Sequence, residues 1–323
     1  MILHAGRPPP ANAVWARRWR AAIVAAVPLL AGAVAVPRVV HAISSGVAGL
    51  ADGEALLVVA DDSQPPGDPY AWVRSEERRA DTVLVVRWLR SCDRLEITSL
   101  PRDAILEGSD EPAAVVFGVG GMDALVTAVE RTFGIEVFAA VTLGFDEVSD
   151  LAEAVGPVDV EVAAPSLDRR TGFMGGPGRV SLDAPAAIAF LRSRHWEELR
   201  GGQWVLATDD DRSRIERQQT YFAAAISAAR RLSLADQVRA GIAMTQGGDV
   251  TVRRPQAVPG FLAGAAHADE VAFATVAVRP ELTLDERRSP FSPTRLGAAQ
   301  RYVLAADARR SFDEAGCATR AEP

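Results

Sequence analysis

Residues 122–162 read MDALVTAVERTFGIEVFAAVTLGFDEVSDLAEAVGPVDVEV, and their punctuation decides the fold. Met122 to Phe133 reads as a helix that stops at Gly134, and Val137 to Val141 is an apolar run of strand length. Phe145 to Val155 reads as a second helix, stopped at Gly156, and Val158 to Val162 as another strand. Helix and strand alternate, which is the pattern of an α/β domain.

The same reading extends outward. Upstream, Ala55 to Ala60 is a short apolar run bounded by acidic residues, which predicts a buried strand. Thr82 to Leu89 and Leu95 to Leu100 are strand-like, joined by the hairpin turn Arg90-Ser91-Cys92-Asp93. The stretch from Asp62 to Ala80 is rich in Pro, Gly and charge and predicts a long loop. Downstream, Asp183-Ala184-Pro185 opens a helix that carries Arg192 and Arg194 towards its end. Asp209 to Asp211 opens a longer helix running through Arg231, and Glu270 to Val278 reads as a late strand. The expectation is a single three-layer α/β/α domain with a mixed central sheet over residues 54–315, followed by a tail, 316–323.

The N-terminus has a different character. Ala21 to Pro37 is uncharged and apolar, preceded by Arg17, Arg18 and Arg20 and followed by Arg38. This predicts a cytoplasmic tail at 1–20, one transmembrane helix at 21–40, and a connector at 41–53. A cleaved signal peptide ending near Ala31-Gly32-Ala33 or Ala33-Val34-Ala35 is the competing reading. Either one exports the main domain.

Composition narrows the chemistry. The chain of 323 residues carries 35 basic residues, every one of them Arg, and a net charge of −7. That charge argues against a nucleic-acid partner. Without Lys there is no Walker-type P-loop and no Schiff-base chemistry. Of four histidines only His195 and His267 lie inside the expected domain, so a multi-histidine zinc site is excluded. Cys92 and Cys317 are too few for a disulfide framework, and their spacing leaves a mutual bond open.

Two groups of acids and arginines stand out. The first comprises Asp61-Asp62-Ser63, Arg79-Ala80-Asp81-Thr82 and Ser99-Leu100-Pro101-Arg102-Asp103. The second comprises Arg192-Ser193-Arg194-His195 and the run from Asp211 to Gln219. Guanidinium forks bind phosphate oxygens in pairs, and magnesium takes one or two carboxylates plus phosphate oxygens and water. If the first two strands are neighbours, Asp62 and Asp81 reach one sheet edge. Arg214 and Gln218 share a helix face at i and i+4, with Arg217 one position beside it. Spacing leaves two readings open. The arginines converge on an anion, or the neutral segment between Arg192 and Arg217 is a solvated, salt-bridged face.

Taken in order, these five motifs resemble the LytR-CpsA-Psr family over about 55 to 230. The resemblance implies a phosphotransferase dependent on Mg2+ that moves a glycopolymer from polyprenyl pyrophosphate onto peptidoglycan outside the membrane, leaving a phosphodiester link. It implies Asp62 and Asp81 as metal ligands, and Arg79, Arg102, Arg192, Arg194, Arg214, Arg217 and Gln218 as the pyrophosphate-binding set. Asp103, beside Arg102, takes a catalytic-base or arginine-orienting role. The partners implied are the polyprenyl-pyrophosphate-linked glycan, peptidoglycan and the membrane through the N-terminal anchor. Gln64, Glu111-Pro112-Ala113, Thr142 and Ser213 depart from the family pattern, so a binding-only envelope protein and a pyrophosphate hydrolase stand as alternatives. A prenyl tail also demands an apolar tunnel beside the phosphate site, expected between helices Met122 to Phe133 and Phe145 to Val155.

Overall fold

The computed structural model describes residues 54–61, 80–208, 211–233, 236, 249–276, 278–283 and 299–304. The expected anchor, Asp62, Gln64, Arg79 and Cys317 lie outside the described residues.

Six strands form the central sheet: β1 (Ala55–Asp61), β2 (Ala80–Leu89), β3 (Arg94–Leu100), β4 (Val137–Leu143), β5 (Asp249–Val252) and β6 (Glu270–Thr275). Their order across the sheet is β5-β4-β1-β2-β3-β6. β1 runs antiparallel to β2 and parallel to β4; β3 is antiparallel to β2 and parallel to β6. The sheet is therefore mixed, as expected. The β2–β3 turn is the one read from sequence: Arg90–Cys92 forms a 3-10 turn and Asp93 closes it with φ 48°.

Helices cover both faces. α1 (Ala113–Phe133) packs Phe117, Leu125, Val129 and Phe133 against the face presented by Leu57, Val59, Val83 and Val85. α2 (Phe145–Val155), α3 (Ala184–Arg192), α4 (Asp211–Ala229) and α5 (Val258–His267) lie on the other side. There α5 contributes Phe261 and Ala265 to a core with Leu56, Phe138 and Val141, to which Val148 of α2 and Phe222 of α4 add. Neighbouring residues of one strand thus feed opposite cores, the consequence of period-two alternation in a strand buried on both faces. Full burial of side chains such as Leu57 and Phe138 contributes roughly 1.5–3 kcal/mol each. At Gly264 any Cβ would overlap the Trp88 ring, so α5 reaches the sheet only because that residue has no side chain.

Several boundaries differ from the sequence reading. The helical run of α1 starts at Ala113, but Gly121 (φ 69°, ψ −167°) is non-helical and divides it, so the expected Met122 to Phe133 segment is preceded by a further helical segment. Val158–Val162 leaves the central sheet and pairs with Gly178–Leu182. The late strand ends at Thr275, and a separate strand, Val278–Thr283, pairs with Ala299–Leu304. Asp183 caps α3 as expected, its carboxylate accepting from Ala186 N at 3.0 Å, with Pro185 in the first turn. Among the described residues α1 alone is long and apolar enough to cross a membrane. Its apolar side, however, faces the sheet as a core helix does.

Candidate phosphate-binding site

The site lies where β1 and β3 end and β2 begins. Asp61 closes β1 opposite Ala80, which brings Asp81 beside it. Arg102 follows β3 by two residues, Arg194 follows α3, and Arg214 sits in the first turn of α4. Segments more than a hundred residues apart thereby meet at Asp81. Its Oδ1 accepts from Arg102 Nη1 at 2.5 Å and from Arg194 Nη2 at 2.8 Å. Arg214 Nη1 lies 3.2 Å from Oδ2, and Arg214 Nη2 donates to the Asp81 carbonyl oxygen at 2.8 Å.

Burial alone would push the Asp81 carboxyl up, but Arg214, then Arg194 and Arg102, outweigh it and hold the group below the usual carboxylate range. Three guanidiniums face one carboxylate, and the Arg214 side chain is only 2% exposed. Guanidiniums gathered in this way offer the paired N–H donors that phosphate oxygens take.

A pocket opens directly beside this cluster, with a free volume of about 60 Å³. Asp61, Asp81, Arg192, Arg214 and Gln218 supply its polar end, and Leu143, Phe145, Val148, Ile188, Leu191 and Phe222 its apolar wall. The wall includes α2, as expected for a prenyl tunnel. It does not include α1, which lies on the opposite face of the sheet. α3 and α4 take that place.

The remaining expected residues have distinct placements. The Arg192 guanidinium stacks over the Phe145 ring, 4.4 Å from its centroid, at the pocket wall. Gln218 is buried, donates to Leu191 O at 3.3 Å and lines the pocket. Arg217 donates to Ser193 O at 2.8 Å and lies 4.7 Å above the Trp196 ring. It therefore holds the Arg194 segment. Asp103 is half-exposed, with Oδ1 3.8 Å from Arg102 Nε.

Sequence reasoning missed Asp168. It is 1% exposed, and its Oδ2 accepts from Ser193 Oγ (2.7 Å), Arg194 N (3.0 Å) and His195 N (3.0 Å). Its Oδ1 accepts from Arg170 N (2.8 Å) and Thr171 N (3.3 Å). This one carboxylate shapes the loop that delivers Arg194. Gln219 was also unassigned; its amide donates to Ser99 Oγ, Ala274 O and Thr275 Oγ1 at 2.9–3.0 Å, tying α4 to β3 and β6.

Asp81 is a carboxylate held ionised at the mouth of a pocket, the donor type a hard cation takes beside water and phosphate oxygens, although here both its oxygens face guanidiniums. Among the described residues no three His, Cys, Asp or Glu side chains gather into an all-protein cage.

The chain is similar to several known proteins. A polyisoprenyl-teichoic acid–peptidoglycan teichoic acid transferase TagU of Oceanobacillus iheyensis is 28% identical over 164 residues, 48% of each chain. A probable cell wall biosynthesis protein LcpB of Corynebacterium glutamicum is 27% identical over 155 residues, covering 47% of this chain and 34% of that one. The chain thus spans half or less of the length of these curated relatives. The solved LytR-Csp2A-Psr enzyme from Actinomyces oris has the same fold, with a TM-score of 0.60 at 23% identity, covering 82% of this chain and 90% of that one. The LytR_cpsA_psr family model matches residues 45–243, more than half of the sequence, and the chain belongs to that family.

Proposed function

We propose that the protein transfers a glycopolymer from a polyprenyl pyrophosphate carrier onto peptidoglycan, outside the cytoplasmic membrane. The observation that carries this reading is the convergence of Arg102, Arg194 and Arg214 on Asp81 at the head of an apolar pocket. The charge suits a pyrophosphate and the apolar wall suits the first part of a prenyl chain. The TagU relative's name describes a transfer of this kind.

In this mechanism Arg214 and Arg102 turn from Asp81 towards the pyrophosphate oxygens as the substrate arrives, while Asp168 and Arg217 keep the Arg194 loop in place. A hydroxyl of the acceptor sugar attacks the phosphorus nearest the glycan. The new P–O bond forms as the bridging P–O bond to the prenyl phosphate breaks, and polyprenyl phosphate leaves with the electron pair. The hydroxyl proton passes to Asp103. Such transfer needs positioning and charge stabilisation more than covalent help. Asp81, together with Asp62, would hold Mg2+, which supplies further neutralisation of phosphate charge.

The test is transfer by the full chain in detergent, with a lipid-pyrophosphate oligosaccharide and peptidoglycan acceptor, with and without magnesium. Labelled peptidoglycan is the expected product. Free polyprenyl phosphate released without acceptor would replace this reading by hydrolysis. Binding without turnover would leave an assembly protein.

A further inference from the structure

Large exposed apolar side chains are few among the described residues, and five of the six lie on one small sheet: Met174, Leu199, Trp204, Val205 and Leu206. That sheet contains the hairpin Trp196–Arg200 and Gln203–Thr208, extended by Ser166–Asp168 and Phe173–Gly175. Register sorts the five. Leu206 faces Glu197, which faces Leu167, which faces Met174; one step along, Leu199 faces Trp204. Opposite residues of an antiparallel ladder share a face. Met174, Leu206, Trp204 and Leu199 therefore form one stripe on one side, exposed by 75%, 52%, 38% and 37%. Glu197 and the buried Leu167 lie on the same row between Leu206 and Met174, and Arg169 neutralises Glu197 at 3.2 Å within the stripe.

The position of this hairpin is as informative as its composition. It begins two residues after Arg194 and ends six before Arg214, so two of the arginines on Asp81 bracket it in the chain. We infer that the stripe seats on the bilayer surface and holds the arginine cluster against the headgroup layer. This inference rests on the proposed function, because a prenyl carrier keeps its pyrophosphate at that layer. Residues 38–53 separate the apolar N-terminal run from β1. Sixteen residues reach up to about 55 Å when extended, longer than a domain of this size is wide, so the tether alone sets no orientation. A tryptophan among leucine and methionine, with the one acid on the face paired to an arginine, has the composition that settles at a membrane interface.

The test uses the full chain reconstituted in phospholipid vesicles, without reductant, as the variants Leu206→Cys and Glu270→Cys. Each is labelled with an environment-sensitive thiol dye. Glu270 is exposed at the start of β6, the end of the sheet away from Arg102. The label at 206 is expected to shift to the blue and to be quenched by spin-labelled lipid, and that at 270 to remain in water. Separately, Trp204→Ser with Leu206→Ser is expected to raise KM for the membrane-embedded substrate roughly tenfold, as the loss of two apolar contacts predicts. Turnover of a short-chain, water-soluble substrate stays unchanged. Equal hydration of both labels in vesicles where transfer proceeds overturns the membrane contact and leaves the proposed function standing. A buried label at 206 with no transfer by the wild type does the reverse. Protection of that label by added peptidoglycan but not by lipid assigns the stripe to a glycan and overturns the proposal, as does protection that depends on protein concentration alone.

Discussion

Arg214 holds Asp81 at two places at once: Nη1 stands 3.2 Å from the carboxylate Oδ2 and Nη2 donates to the backbone carbonyl of the same residue at 2.8 Å. The first turn of α4 is thus fixed to the start of β2. Only a planar fork reaches both oxygens, so lysine cannot substitute for it.

Arg214→Ala is expected to lower transfer by roughly 100-fold or more through the lost phosphate contact. It also leaves Asp81 less compensated, at a cost on the order of 3 kcal/mol because the arginine is buried. Arg214→Lys should recover part of the stability and little of the rate. Transfer kinetics alongside urea unfolding separate the two effects, and wild-type turnover in Arg214→Ala would remove the residue from the site.

The acid limb of stability should carry the signature of Asp81. Its folded pKa lies below the unfolded value, so its contribution is complete above the ordinary aspartate range and is lost as pH falls through the folded value. Asp81→Asn should therefore be less stable than wild type near neutrality, and the gap should close towards low pH. Urea midpoints for both proteins across the acidic range would show the convergence; a constant gap would contradict it.

Asp168→Ala strips acceptors from five donors in a buried loop. A loss of about 3 kcal/mol is expected, since hydrogen bonds to a charged group exceed neutral ones and orphaned donors add a penalty. Transfer should fall with it, as Arg194 loses its fixed approach. Thermal unfolding and kcat measured on the same preparation check both; an unchanged kcat would mean that the Arg194 loop holds its shape unaided.

Inorganic pyrophosphate should stabilise the protein, by about 2.7 kcal/mol when present at 100 times its Kd. Magnesium should increase the effect, and Arg102→Ala should reduce it. Thermal shift at rising pyrophosphate concentration measures this directly, and a flat response in wild type would argue against an anion site at Asp81.

The α/β alternation was legible because the first two helices end at glycines that sequence displays: Gly134 after α1, Gly156 after α2. The turns of α1 before Met122 were not, since they are separated from the rest by the non-helical Gly121 and their own stretch holds two more glycines, at 118 and 120. Asp81, Arg102, Arg194 and Arg214 could be named as one site from motif order, and they meet. Arg217 was named for the same reason, yet it turns to Ser193 and Trp196: helical spacing places a residue near a face but does not say which neighbour its long side chain takes. Asp168 had no signal at all. An acid that caps a loop 25 residues later has no local spacing to betray it.

The amide of Gln219 spans Ser99 on β3 and both Ala274 and Thr275 on β6. Because that carboxamide follows Gln218 directly and Arg214 by just over one helical turn, the depth of α4 along the sheet is indexed to the strand from which Arg102 emerges. The two backbone anchor points from which these guanidiniums swing are consequently spaced during folding, so an arriving anion has only side chains to reposition.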